Sequence, residues 1–131
     1  MENNKLSRPE LIIHFNTILV EYLTYLYGIF PTQQAINTYI TWINNINYIC
    51  PSLIYTYFNK YISPLKPYCK TRDEEYFISL NNNNNTMKDN KSMLEVLNFT
   101  ELWTNMNNDS KELTWNYFTL LFNISDQIND F

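Results

Sequence analysis

Tyr61-Ile62-Ser63-Pro64-Leu65-Lys66-Pro67-Tyr68-Cys69-Lys70-Thr71-Arg72-Asp73-Glu74-Glu75-Tyr76-Phe77 decides how the chain is organised. Prolines, aromatic rings and charges of both signs meet here, between two halves that read as helical. Pro64 and Pro67 lack the amide that an interior helical turn donates, so a helix arriving from upstream should end on them. Thr71 then reads as an N-cap, with Asp73 and Glu74 in a first turn where the helix dipole favours acids. The helix so launched spans roughly residues 72–80 and buries Tyr76, Phe77 and Leu80. The stretch reads as a joint between helices, not as an active site.

Upstream, Ser7-Arg8-Pro9-Glu10 carries a serine followed three residues later by glutamate, the pattern of a capping box, with proline in the tolerant first turn. Leu11, Ile12, Phe15, Ile18, Leu19, Tyr22, Leu23 and Leu26 recur at three- and four-residue spacing, one buried helical face. Gly28, the single glycine, is expected to end this helix in a left-handed conformation. Thr32 is the expected cap of a second helix with Ala35 or Ile36, Tyr39, Ile40, Ile43 and Ile46 inward. Its isoleucines also suit a strand, but the period runs too long for one. Pro51 opens a third helix whose stripe is Leu53, Ile54, Tyr57, Phe58 and Tyr61.

Downstream, the run Asn81 to Asn85 begins a segment, about 81–91, with Met87 as its only hydrophobe, and a mobile surface loop is expected. The helical period returns from Ser92 through Met93, Leu94, Leu97, Leu102, Trp103 and Met106, with a bend near Phe99. A last helix starts near Ser110-Lys111-Glu112, with Leu113, Tyr117, Leu120, Leu121 and Ile124 inward and Trp115, Phe118 and Phe122 beside them. So wide an apolar arc implies two neighbouring helices or another chain. The expected fold is all-α: one domain over residues 1–131, a compact bundle of five or six helices with the Asn-rich loop between its halves.

Composition narrows the function classes. The chain holds 131 residues, of which 17% are aromatic, and 21 are asparagine. That aromatic content is the opposite of a disordered composition. Net charge is -4, and it gathers after residue 80. An acidic half with no basic stripe argues against broad capture of nucleic acid, which needs cations to neutralise phosphates. Lys60, Lys66, Lys70 and Arg72 form the one local basic set, a candidate contact for one or two phosphates or else a solvated edge.

Catalytic chemistry finds little purchase. The one histidine, His14, falls at the edge of the first helix's apolar face. His14, Cys50 and Cys69 are scattered without metal-ligand spacing. A single glycine leaves no phosphate-cradling loop. Asp73, Glu74 and Glu75 are adjacent and so point in different directions from a helix. No catalytic residue, metal or cofactor is expected. Both cysteines are expected to be buried free thiols. The polar N-terminal residues lack a signal-peptide pattern, so secretion is not expected. No apolar run approaches the roughly 20 residues of a membrane span. The five Asn-x-Ser/Thr sites, at Asn84, Asn90, Asn98, Asn108 and Asn123, then follow from the abundance of asparagine.

One ordered set of residues has a further reading. Phe58, Tyr61, Tyr68, Arg72-Asp73-Glu74, Tyr76-Phe77, Leu102-Trp103, Trp115, Tyr117 and Leu120 resemble the pattern of short helical proteins from large nucleocytoplasmic DNA viruses, the Mimivirus-like and related lineages. The similarity covers roughly residues 10–125. It implies a viral protein in the infected-cell cytoplasm or the virion, and it transfers no active site. Within the pattern Asp73 would start the short helix, Phe77 would plug the seam between the halves, and Trp103 and Trp115 would close the far side. The expectation is a non-enzymatic structural or interaction protein with a protein partner or self-association. The alternatives are a small nucleic-acid-associated protein using the basic set, and a viral Bcl-2-like decoy that binds host helices.

Overall fold

The computed structural model describes residues 6–79 and 98–131. Among the described residues the fold is all-α and compact, with seven α-helical segments and one 3-10 turn. Helix α1 runs Arg8–Ile29, α2 Gln34–Ile49 and α3 Pro51–Ile62. A 3-10 turn, Ser63–Leu65, carries α3 into a short continuation, α4, Lys66–Lys70. Helices α5, Glu74–Ser79, α6, Phe99–Thr104, and α7, Asn108–Asn129, complete the described residues. The expectations placed on Leu80, on the segment 81–91 and on Met93, Leu94 and Leu97 lie outside those residues.

Helix α1 is the axis on which α2, α3 and α7 pack. Its capping box forms as the sequence indicates: Ser7 Oγ accepts from the Glu10 amide at 3.3 Å, and Glu10 Oε1 accepts from the Ser7 amide at 2.8 Å. All eight apolar positions of its stripe are buried. Asn16 is buried among them, with Nδ2 donating to Asn47 Oδ1 and to the Pro51 carbonyl across to α2 and α3. Gly28 does not end α1. No glycine has positive φ, and the last turn closes when the Phe30 amide donates to the Leu26 carbonyl at 2.8 Å. Gly28 is an ordinary helical residue.

Several local expectations are corrected. Helix α2 begins after Gln33, without a side-chain cap, so Thr32 lies in the preceding turn. Pro64 and Pro67 end the α-helical hydrogen bonding but not the right-handed path. Each sits in the first turn of its own short segment, where no intrahelical donor is required. Ile62, Ser63, Leu65 and Lys66 all keep right-handed helical angles through the turn. Thr71 is not an N-cap. Its hydroxyl donates back to the carbonyls of Pro67 and Tyr68, at the end of α4.

The reversal is made instead by Arg72, whose φ is 53°. The Arg72 amide bonds the Cys69 carbonyl at 3.2 Å and the Asp73 amide bonds the Tyr68 carbonyl at 2.8 Å. This is the Schellman pattern of helix ends, with arginine in the left-handed position that glycine usually holds. Asp73 directly precedes α5, its carbonyl accepting from the Tyr76 amide.

Helix α7 shows the largest offset. Asn107 caps it, through Oδ1 accepting from the Ser110 amide at 2.8 Å. Its innermost row is Ser110, Thr114, Phe118, Leu121, Ser125 and Ile128, while Leu120 is exposed. Hydroxyls belong to that row because tyrosines from α1 and α3 need partners. Tyr22 meets Thr114 at 2.8 Å, Tyr25 meets Ser110 at 2.7 Å, and Tyr55 meets Ser125 at 3.0 Å. Small hydroxyl side chains let the helices approach and also satisfy buried phenols, which would otherwise lose a bond worth about 1 kcal/mol or more. The wide arc of α7 is taken up by α1 on one side and by the rings of α5 and α6 on the other.

Candidate interaction surface

Two groups of rings dominate the molecule. In the first, Phe77 from α5 is sealed from solvent and centred among Phe99, Trp103, Trp115 and Phe118, with ring centroids 5.2, 5.0, 5.3 and 6.0 Å away. These separations are those of favourable aromatic pairs. Trp103 is buried, yet its indole Nε1 donates to Glu74 Oε1 at 2.8 Å. Lys111 binds the same carboxylate at 2.6 Å and lies over the Trp103 ring, 5.3 Å from its centroid. Bonds from Lys111 and Trp103 hold the Glu74 carboxyl below the usual range, and the Arg72 pair does the same for Glu112. These four charged side chains line a hollow of about 360 Å³ at the cluster's edge, together with Trp103, Asn108 and Trp115.

The second group lies on the outer side of the α2–α3 hairpin. Tyr39, Trp42, Tyr57 and Tyr61 are all half-buried. Their rings form a ladder across the two helices, Tyr39–Trp42 at 6.5 Å, Trp42–Tyr57 at 5.2 Å and Tyr57–Tyr61 at 5.1 Å. Buried Phe58 is the floor, within 6.1 Å of Tyr39, Trp42 and Tyr57. The Tyr39 and Tyr57 hydroxyls touch at 3.4 Å, and burial, aided by that contact, pushes the Tyr39 phenol well above its ordinary range.

Leu53, Tyr57 and Tyr61 are four residues apart and share one side of α3, just as Ile46 and Trp42 do on α2. At the corner between the helices Ile49 is 77% and Leu53 49% exposed. By that spacing, apolar side chains run from the corner along one side of α3 to Tyr61. A hollow of about 350 Å³ opens beside the ladder, lined by Ala35, Thr38, Tyr39 and Trp42.

The third-helix stripe therefore divides. Ile54 and Phe58 face the core, joined by Tyr55 and Ile62, which the period left out. Leu53, Tyr57 and Tyr61 face outward. A helix with apolar residues over half its circumference does not reveal which half is covered.

The remaining candidates are placed as follows. Tyr68 stacks flat on Tyr76, with centroids 3.9 Å apart. Tyr117 leans on Tyr22 and donates to Glu21 Oε1 at 3.4 Å. Of the basic set, Lys66 pairs with Asp126 at 2.7 Å and Arg72 with Glu112, both carboxylates coming from α7. Lys60 sits over the Tyr61 ring, 5.4 Å from its centroid, and Lys70 is exposed. His14 is exposed on α1.

The two cysteines part company. Cys69 is buried, which pushes its thiol up to about 12, whereas Cys50 is exposed at the α2–α3 corner, contrary to expectation. The corner leaves the core because the Cys50 amide closes α2 on Ile46 while Pro51 already begins α3. Among the described residues there is no group of three or more His, Cys, Asp or Glu placed to hold a metal ion. No helix among them is long and apolar enough to cross a membrane.

Comparison of the chain with protein-family models, curated proteins and solved structures returns no match.

Proposed function

We propose that this is a non-enzymatic interaction protein whose contact surface is the outer strip of the α2–α3 hairpin. One observation carries the reading: the α2–α3 hairpin bears four half-buried aromatic rings in mutual contact and, at its corner, two exposed aliphatic side chains. Water-exposed apolar surface of that kind gains free energy when a partner covers it. Aromatic anchors are also the residues that dominate interface energetics. The nucleic-acid alternative is weaker, because Lys66 and Arg72 are already neutralised by Asp126 and Glu112. If the viral resemblance holds, the partner is met in the infected-cell cytoplasm or the virion.

The test is a photo-crosslinking residue introduced at Tyr61 and, as a control, at Asn116 on the exposed side of α7. The reading predicts defined adducts from position 61 alone, competed away by excess wild-type protein but not by a Trp42→Ala, Tyr57→Ala variant. Adducts that are equal at both positions, or absent from both, contradict it. Light scattering on the same preparation shows whether the partner is a second copy of this chain.

A further inference from the structure

We infer that the groove between α1, α2 and α7 holds a small primary alkylammonium ion. The starting observation is a buried amide. Asn16 is 0% exposed, and its Nδ2 donates to Asn47 Oδ1 at 2.7 Å and to the Pro51 carbonyl at 2.9 Å. The Pro51 carbonyl can only accept, which fixes the amide's orientation: the nitrogen faces it, and Oδ1 is left as an acceptor. Among the described residues Oδ1 is the one sealed side-chain polar atom without a hydrogen-bond partner. Native interiors rarely leave such an atom unpaired, because nothing then offsets its desolvation.

The second observation is the place. Asn16 and Asn47 belong to the wall of a hollow of about 360 Å³, with Val20 and Tyr117 as its apolar surfaces and Glu21 as its one charged residue. The hollow shares no residue with the α2–α3 strip, so the inference does not rest on the interaction reading. The Glu21 carboxylate pairs with no cation among the described residues, and accepts only a 3.4 Å bond from the Tyr117 hydroxyl. The Thr17 hydroxyl donates to the Ile13 carbonyl and keeps its own oxygen open. Such a wall repels a phosphate or carboxylate and calls for a positive group with N–H donors. A divalent metal ion fits poorly, since hard cations gather several carboxylate and carbonyl oxygens and this wall has one carboxylate. One water would pair Oδ1, but it takes only about 30 Å³ of the space. A primary ammonium sets three donors on one nitrogen, its stem lies along Val20, and the Tyr117 ring favours a nearby cation. Oδ1 is sealed in the resting arrangement, so the ion reaches it when Glu21 or Asn44, both exposed residues of the wall, turns aside.

The experiment uses the full chain and n-butylammonium, with tetramethylammonium and n-butanol as controls. The first control keeps the charge but has no N–H; the second keeps the stem and a donor but has no charge. Binding is followed at constant ionic strength by the backbone amide resonances of Thr17 and Glu21, with Thr104 as the distant reference. n-Butylammonium should move the Thr17 and Glu21 signals saturably and leave Thr104 in place. Each control should bind about tenfold more weakly or worse, the effect of one charge-assisted hydrogen bond. Glu21→Gln, at an exposed position, should fold normally and weaken n-butylammonium about tenfold. Asn16→Leu should abolish binding, and if that variant does not fold, Glu21→Gln and the controls decide. Static Thr17 and Glu21 signals at millimolar n-butylammonium leave Oδ1 to a water molecule and overturn the inference. So does equal binding of tetramethylammonium, or Glu21→Gln with unchanged affinity. Tighter saturable binding of potassium or calcium chloride makes this a metal site and overturns it as well.

Discussion

The Phe77 cluster and the α2–α3 ladder use the same kinds of residue to opposite ends. Around Phe77, rings from α5, α6 and α7 pack on several sides, and of the two indoles there the Trp103 donor is answered by Glu74 and backed by Lys111, while Trp115 has no hydrogen bond among the described residues. In the ladder only its floor, Phe58, is fully covered, and Trp42 leaves its donor unanswered among the described residues. Aromatic content alone therefore says nothing about core or surface. What separates the two regions is the number of helices that reach each ring.

The sharpest way to break this contrast is truncation. Phe77→Ala should destabilise the protein by about 3–5 kcal/mol, the range for emptying a packed aromatic site. Trp42→Ala, taken from a half-covered ladder, should cost about 1–2 kcal/mol. Urea denaturation of both variants checks this, and equal losses would mean that the ladder is as much core as the cluster. At the next level down, Trp103→Phe should cost roughly 1.5–3 kcal/mol, because a charge-assisted hydrogen bond and packing volume are both lost. Trp42→Phe should change the melting temperature very little.

The helix ends give smaller and more local effects. Arg72 occupies a left-handed conformation that costs a non-glycine residue about 1–2 kcal/mol. Arg72→Gly relieves it while losing the exposed pair to Glu112, and such pairs contribute little. Arg72→Ala loses the pair and keeps the strain. The glycine variant should therefore be about 1 kcal/mol more stable than the alanine variant in matched melts. Gly28→Ala should stabilise by about 0.5–1 kcal/mol, since Gly28 is helical and an added Cβ meets nothing within 4 Å.

Acid acts at the edge of the Phe77 cluster and at the α1 cap, where hydrogen bonds to Ser7 also lower the Glu10 pKa. Glu74 and Glu112 have folded-state pKa values below their unfolded ones. Their contribution is present above the ordinary glutamate value of 4.5 and is lost as pH falls through the depressed folded value. Melting temperature measured from pH 6 down to pH 3 should decline, less so in Glu74→Gln, while the fluorescence of Trp42 stays unchanged.

How legible this was varied with the element. The start and the apolar positions of helix α1 could be read from the sequence, though not its end or the buried Asn16, because the apolar spacing is regular and the cap is a reciprocal Ser7–Glu10 pair. On helix α7 Leu121 and Ile124 are buried as expected, but Leu120 is exposed and the inner row also includes Ser110, Thr114 and Ser125, whose value lies in tyrosines far away in sequence. The turn at Arg72 was hidden for a related reason. Its geometry follows from backbone bonds to Tyr68 and Cys69, and no glycine or asparagine announces it. The candidate surface was half visible. Leu53, Tyr57 and Tyr61 stood out at helical spacing, but spacing cannot tell a covered face from an open one.

Iodide quenching of tryptophan fluorescence tests the partition most directly, since the ion reaches only rings open to water. The account predicts that quenching in the wild-type protein comes from Trp42, so that Trp42→Phe leaves an emission nearly insensitive to iodide. Equal quenching of the wild type and Trp42→Phe would place Trp103 or Trp115 at the surface and contradict the division between a sealed cluster and an open ladder.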